Sequence, residues 1–160
     1  MKRTLLTFLS FLFLFNINAQ SEYMVLLHAG EQICAENARN YVDEAFISKD
    51  EAIDGKYYRF IQFYEIPNQN GLNAISQNGI ELLEYIPNKT YVASIPVDFD
   101  VKKVADLNVR SIMPIVRDLK MRHDLLEKNY PYWALHGDGI ELMLKYYKNL
   151  RHEEILKYLQ

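Results

Sequence analysis

The sequence predicts an α+β fold, in which a four-stranded antiparallel sheet carries two helices on one face. Residues 57–116 alternate between segments rich in β-branched and aromatic residues and segments whose apolar residues recur every three or four positions. The order is strand, helix, strand, strand, helix, strand. The two consecutive strands, 80–86 and 90–95, are separated only by a Pro-Asn-Lys turn, and so short a connection makes them an antiparallel hairpin.

The first strand and the first helix are bounded by residues that suit those positions. The strand 58–64 is followed by Pro67, which has no N–H to donate to a neighbouring strand. Asn68 is a favourable N-cap for a helix that extends to about Gln77. Gly79 then ends this helix, because glycine readily adopts the left-handed conformation found after many helices.

The second half of this region repeats the pattern. Pro96 ends the third strand, and a second helix is predicted over about 99–107. The fourth strand, 109–116, contains Pro114, which favours a position at the edge of the sheet. This order of elements is the split-βαβ, or ferredoxin-like, arrangement, and right-handed crossovers would place both helices on the same face. The predicted core residues are Ile61, Phe63, Leu72, Ile75, Val101 and Val104.

Large apolar side chains alternate onto both faces of the predicted sheet, although a sheet with one wet face should show polar residues there. Something therefore covers the second face. Two explanations remain open: residues 22–56 or 130–160 fold over it, or it docks another domain. The residues predicted to bind a partner on that face are Phe60, Tyr64, Leu83 and Tyr85.

The first nineteen residues have the pattern of a secretory signal peptide. Lys2 and Arg3 precede an apolar run of eleven residues, 5–15, and Ala19 provides a small residue at the expected cleavage point before Gln20. Eleven residues are too few for a permanent membrane anchor. We expect a secreted or periplasmic protein.

The regions on either side of residues 57–116 are less regular. Residues 20–56 are an N-terminal extension, with a strand expected at 23–27 and a short helix at 36–46. Residues 117–136 are a connector whose aromatic stretch, 129–133, is expected to anchor it to the body. Residues 137–160 repeat a strand (140–147), an Asn149 cap and a helix from His152, so they are predicted to be the first strand and helix of a truncated second unit.

Composition and motifs argue against several classes of function. After residues 1–19, 16 Lys and Arg remain against 21 Asp and Glu, a net charge of −5 that argues against nucleic-acid binding. His152-Glu153 begins a zinc-protease motif, but Leu156 stands where the second histidine would be. No serine lies in a Gly-x-Ser-x-Gly context, and Cys34 has no second cysteine to pair with. We expect no catalytic residue, no metal site and no cofactor.

Four stretches of the chain resemble the prodomain region of secreted bacterial subtilisin-like serine peptidases, the S8 family. They are Tyr57-Tyr-Arg-Phe-Ile-Gln-Phe-Tyr-Glu-Ile-Pro67, Gly79-Ile-Glu-Leu-Leu-Glu-Tyr-Ile-Pro-Asn-Lys-Thr-Tyr91, Leu107-Asn-Val-Arg-Ser-Ile112 and Asn129-Tyr-Pro-Tyr-Trp-Ala134. The resemblance covers roughly residues 57–155, and the Asn-Ala-Gln ending of the signal segment is similar to that of Bacteroidetes.

The resemblance implies a ferredoxin-like prodomain whose sheet packs on a subtilisin-like catalytic domain, in the same precursor or in trans. It also implies that the prodomain assists the folding of that domain and inhibits it until cleavage. The catalytic domain is absent from this chain, so a precursor fragment, a truncated gene product and a free-standing inhibitor all remain open. The alternative is an exported, non-enzymatic adhesion or assembly module that binds an unrelated partner.

Overall fold

In the computed structural model, residues 23–27, 30–33 and 51–159 are described. The strands are β1 (Met24–Leu27), β2 (Gly30–Ile33), β3 (Lys56–Phe63), β4 (Glu81–Ile86), β5 (Thr90–Pro96), β6 (Val109–Pro114), β7 (Leu135–His136) and β8 (Gly139–Ile140). The α-helices are α1 (Gln69–Gln77), α2 (Arg117–Lys120), α3 (His123–Leu126) and α4 (His152–Lys157), and 3₁₀ helices span Val101–Leu107 and Tyr132–Ala134. The signal segment 1–19, the helix expected at 36–46 and Cys34 lie outside the described residues.

Strands β3 to β6 form one antiparallel sheet in the order β4-β5-β3-β6. The central pair, β3 and β5, is in register from Lys56 opposite Pro96 to Gln62 opposite Thr90. β4 and β5 form the expected hairpin, and β6 lies at the other edge with Pro114 as its last residue. The predicted α+β class and the four-stranded antiparallel sheet are confirmed.

Both helical segments between the strands pack on the same face of this sheet. The N-cap is Asn68, whose Oδ1 accepts a hydrogen bond from the Gly71 N–H at 3.0 Å. Ile75 of α1 and Val104 of the 3₁₀ helix are buried in one cluster with Ile61 and Phe63 of β3, as the sequence predicts.

Two details of this face differ from the sequence prediction. The second helix is 3₁₀ and not α-helical, and Asp100 caps it by accepting from the Lys102 N–H at 3.1 Å. The 3₁₀ helix occupies seven of the twelve residues, 97–108, that connect β5 to β6. Leu72, predicted to be core, is 36% exposed and lines an open depression between α1 and β4, whereas Val101 is half-buried against the cluster.

The region after β6 differs most from the prediction. The strand expected over residues 140–147 is wrong: only Gly139–Ile140 are paired, with β7, and residues 141–147 form no helix, strand or turn. A strand needs a hydrogen-bonded neighbour, which the described residues do not provide here. The helix predicted from His152 is confirmed as α4, but its N-cap is Arg151 and not Asn149.

Candidate interaction surfaces

The second face of the sheet is covered by segments from both ends of the described chain. Tyr58 and Phe60 of β3 and Val92 of β5 are buried there against Leu150 and Ile155, the latter on α4. Half-buried apolar side chains complete the cluster: Leu27, Ile53, Leu83, Ile86, Met113, Leu119 and Tyr147. This is the first of the two explanations that the sequence left open, namely that the flanking residues fold over the face.

The C-terminal segment is held on this face by a ring stack and a small polar network. The rings of Tyr58 and Tyr147 lie nearly parallel, with centroids 5.3 Å apart. The Tyr58 hydroxyl donates to Asn149 Oδ1 at 3.1 Å, and Asn149 Nδ2 donates to Glu81 Oε2 and to Ser94 Oγ, each at 2.9 Å. Asn149 therefore bonds to β3, β4 and β5 together, which explains why it does not cap α4.

Burial makes Tyr58 hard to ionise. It raises the pKa of the phenol to about 12, and the nearby carboxylates of Asp54 and Glu81 act in the same direction. The hydroxyl therefore stays protonated and donates to Asn149 over the physiological range. Closer to solvent, Arg151 forms an ion pair with Asp54, with 2.6 Å between Nη2 and Oδ1.

The N-terminal residues are held at the other end of β3 by Gln62, which is buried. Its Nε2 donates to the carbonyl oxygens of Tyr23 and Asn88, at 2.9 and 3.1 Å, and its Oε1 accepts from Arg110 Nη1 at 2.8 Å. The Arg110 guanidinium also lies over the Tyr23 ring, 4.2 Å from its centroid. Because a buried amide must be satisfied, this network fixes the start of β1 against the sheet.

The four residues predicted to bind a partner do not come together on one free surface. Phe60 is only 5% exposed, and Leu83 packs half-buried beside it. Tyr85 is 49% exposed but lies opposite Tyr91, with ring centroids 5.0 Å apart, and Tyr91 packs on the helix face. Tyr64 is half-buried, one residue beyond the end of β3.

A break in the strand alternation separates Leu83 from Tyr85. The pairing of β4 with β5 shifts between Leu82 and Glu84, so the strand has a bulge there. An extra residue moves every later side chain of the strand to the opposite face. Tyr85 therefore lies on the same face of the sheet as Tyr91, and Leu83 lies on the other face. The sequence shows no local signal, such as glycine or proline, at this position.

The exposed apolar side chains concentrate in a different place, residues 132–146. We call this segment the apolar strip. Its members with strongly exposed side chains are Tyr132, Trp133, Leu135, Leu142, Met143, Leu144 and Tyr146, with Trp133 at 66% and Met143 at 98%. The prediction that the aromatic stretch 129–133 anchors the connector to the body is wrong for Tyr132 and Trp133. Aromatic richness alone did not distinguish an anchor from an outward-facing surface.

Ionisable side chains in the described residues are scattered. No group of three His, Cys, Asp or Glu side chains in residues 23–27, 30–33 and 51–159 is arranged to hold a metal ion. His136 contacts Glu141 at 3.1 Å on the surface, and His152 Nδ1 lies 2.9 Å from the Tyr146 hydroxyl.

Two depressions lie on the helix face of the described region. One, of about 20 Å³ and lined by Tyr57, Arg59 and Phe99 among others, has room for about one water molecule. The other, of about 350 Å³, is open to solvent between α1 and β4 and is lined mainly by apolar residues, with Glu81 at its side.

Comparison with known proteins identifies a family without an assigned activity. The family described as Domain of unknown function (DUF8729) matches residues 26–116, more than half of the chain, and the chain belongs to this family. The match begins within β1 and ends just beyond β6, so it includes most of the N-terminal hairpin and all of the four-stranded sheet. No curated protein and no solved structure matches the chain. Within the described residues, none of the helices is long and apolar enough to cross a membrane.

Proposed function

We propose that this chain is the prodomain-like region of an exported subtilisin-like serine peptidase, which binds the catalytic domain, assists its folding and inhibits it. The support is the sequence resemblance, of which three stretches belong to the four-stranded sheet. These three include β3, the β4–β5 hairpin and the start of β6, and the fourth contains the aromatic pair Tyr132 and Trp133.

We also propose that the sheet is of the ferredoxin-like type. The order β4-β5-β3-β6 puts the first and third strands of the unit in the centre, and both crossover segments pack on one face. These are the features that a split-βαβ arrangement requires. The family boundary at residue 116 is compatible with a unit that ends after its fourth strand.

The observation that carries the choice of binding surface is the exposure of Tyr132 and Trp133. The sheet face that the sequence nominated is occupied by Leu150 and Ile155, so a partner could reach Phe60 only by displacing them. Tyr132 and Trp133 are already in solvent, and large aromatic side chains are the ones most enriched at energetically important interface positions. We therefore place the contact with the catalytic domain on this pair.

The test is inhibition, in trans, of a subtilisin-like catalytic domain encoded by the same organism. Trp133→Ala is expected to weaken inhibition at least about tenfold, because truncating a central interface aromatic costs about 2 kcal/mol or more. Tyr85→Ala is the matched control, since Tyr85 is also an exposed aromatic but lies on the helix face. Its inhibition constant should stay within about twofold of the unmodified chain.

Three results would contradict this proposal in different ways. Equal losses for Trp133→Ala and Tyr85→Ala would remove the aromatic pair as the contact. A loss with Leu83→Ala and none with Trp133→Ala would return the contact to the sheet face. A folded chain that neither binds nor inhibits any such catalytic domain would favour the alternative, an exported adhesion or assembly module.

A further inference from the structure

Residues 140–146 have the composition of a strand but, beyond Ile140, pair with no strand among the described residues. The segment contains neither proline nor glycine, its two charges cancel, and none of its residues has a positive φ. Its even positions are all apolar and its odd positions are Glu141, Met143 and Lys145. Such alternation is typical of a strand with one buried face. Here, however, Leu142, Leu144 and Tyr146 are exposed.

One edge of this segment is already in use at its start, and no residue that the structure describes is hydrogen-bonded to the other, which we call the open edge. The Glu141 N–H donates to the Ala134 carbonyl oxygen at 2.8 Å, which continues the β7–β8 hairpin by one bond. Neighbouring residues of a strand point their backbone groups to opposite edges, so the groups of Leu142 and Leu144 would point away from β7. An open edge of apolar, uninterrupted residues is a template for another strand.

We propose that two copies of this chain pair along this open edge, antiparallel, with Met143 of one copy opposite Met143 of the other. In this register Glu141 of each copy lies opposite Lys145 of the second copy, and Leu142 lies opposite Leu144. No other two-fold antiparallel register opposes these two charges. The pairing joins the two β7–β8 hairpins into one four-stranded sheet whose apolar face carries Ile140, Leu142, Leu144 and Tyr146 of both copies.

The geometry of the open edge also suits the charged pair. With the backbone groups of Leu142 and Leu144 bonded across the two-fold axis, residues 141 and 145 face each other at positions that do not exchange hydrogen bonds. Opposing side chains lie closest together at such positions, where opposite charges attract and like charges repel most strongly. A strand from an unrelated protein would not require complementary charges within this one segment. The proposal is independent of the function above, since it concerns the chain alone.

The test is sedimentation equilibrium of the exported chain over a range of concentrations, at low and high salt. The unmodified chain is expected to be a dimer that dissociates on dilution. Glu141→Lys places Lys opposite Lys twice and should weaken dimerisation about tenfold or more. Glu141→Lys combined with Lys145→Glu restores opposite charges and should return the dissociation constant to within about threefold of the original. Both variants lose the contact between Glu141 and His136 within one copy. A recovery of dimerisation in the double variant therefore reports only the charge pair between the two copies.

Met143→Lys is a second, independent variant, because it sets two lysines against each other on the two-fold axis. Met143 is 98% exposed, so the melting temperature of the monomer should not change while dimerisation is lost. A chain that stays monomeric at all concentrations would overturn the proposal. So would a dimer that is insensitive to Glu141→Lys, a double variant that fails to recover, or open-ended aggregation without a dimer plateau.

Discussion

Two segments of this chain have a similar content of apolar residues but differ in their burial. β3, Lys56–Phe63, is rich in aromatic and β-branched residues, and seven of its eight residues are buried. Residues 140–147 are equally apolar, yet the side chains of 141–146 are all exposed. The difference lies in their neighbours and not in their composition.

β3 has a neighbour on each of its four sides. β5 and β6 flank it, α1 and the 3₁₀ helix Val101–Leu107 pack on one face, and Leu150 and α4 pack on the other. Among the described residues, the segment 140–146 pairs with β7 at its start and contacts His152 of α4 through Tyr146 at its end. Apolar residues are thus necessary for burial but do not cause it: a segment is buried when the chain returns to cover it. Where no described residue covers a segment, its apolar side chains stay exposed, and contiguous exposed apolar side chains are typical of surfaces that bind a partner.

The largest effect is expected from truncating the central ring of the buried segment. Phe60→Ala should lower the free energy of unfolding by about 3–5 kcal/mol, because it leaves a cavity between the sheet and the C-terminal segment. Tyr85→Ala, at an exposed position of β4, should cost less than about 1 kcal/mol. Urea denaturation measures both. Similar small losses for the two variants would show that the second face is not internal core.

A leucine in each region gives a matched pair. Leu150→Ala removes a buried side chain from the cover of the second face and should cost about 2–5 kcal/mol. Leu144→Ala removes the same side chain from the apolar strip and should change the free energy of unfolding by about 0.5 kcal/mol or less, in a monomeric sample. If Leu144→Ala were as destabilising as Leu150→Ala, residues 140–146 would be packed and the contrast between the regions would fail.

A smaller effect, at high pH, comes from Tyr58. Because the folded state raises the pKa of this phenol from 10 to about 12, its contribution to stability is complete below pH 10 and is lost as the pH rises through 12. Solvent screening keeps the loss below the value of the full shift, at about 1–2 kcal/mol. Tyr58→Phe cannot ionise, so its stability should fall less steeply over this interval.

The comparison for Tyr58→Phe is the slope of stability against pH, and not its value at one pH. At pH 7 the variant already lacks the hydrogen bond to Asn149, which contributes about 1 kcal/mol. Parallel slopes for the two proteins between pH 10 and 12 would mean that Tyr58 is not shielded by the C-terminal segment.

The sequence predicted the parts of the fold that depend on local signals. The ends of β3, α1 and β4 were marked by Pro67, Asn68, Gly79 and the Pro-Asn-Lys turn. Alternation along β3 placed Ile61 and Phe63 on the helix face. These features require only a few neighbouring residues, and the structure confirms them.

The sequence did not predict contacts between distant residues. Tyr58 and Asn149 are 91 positions apart, and no periodicity reports that one would bond to the other. The bulge after Leu82 is set by how β4 meets β5, so the four nominated residues could not be assigned to one face from alternation alone. Whether Trp133 is covered also depends on distant residues, and it was predicted to be packed although it is exposed.

Trp133 also provides the most direct test of the central claim, that the apolar strip is an outward-facing binding surface. It is the only tryptophan of the chain, so tryptophan fluorescence reports this one position. In the free chain, at concentrations where it is monomeric, the emission should be that of a water-exposed indole and acrylamide should quench it readily. Saturation with a subtilisin-like catalytic domain whose own tryptophans have been replaced by phenylalanine should shift the emission to the blue and reduce quenching. An indole that is shielded in the free monomer, or equally quenched in the complex, would contradict the account.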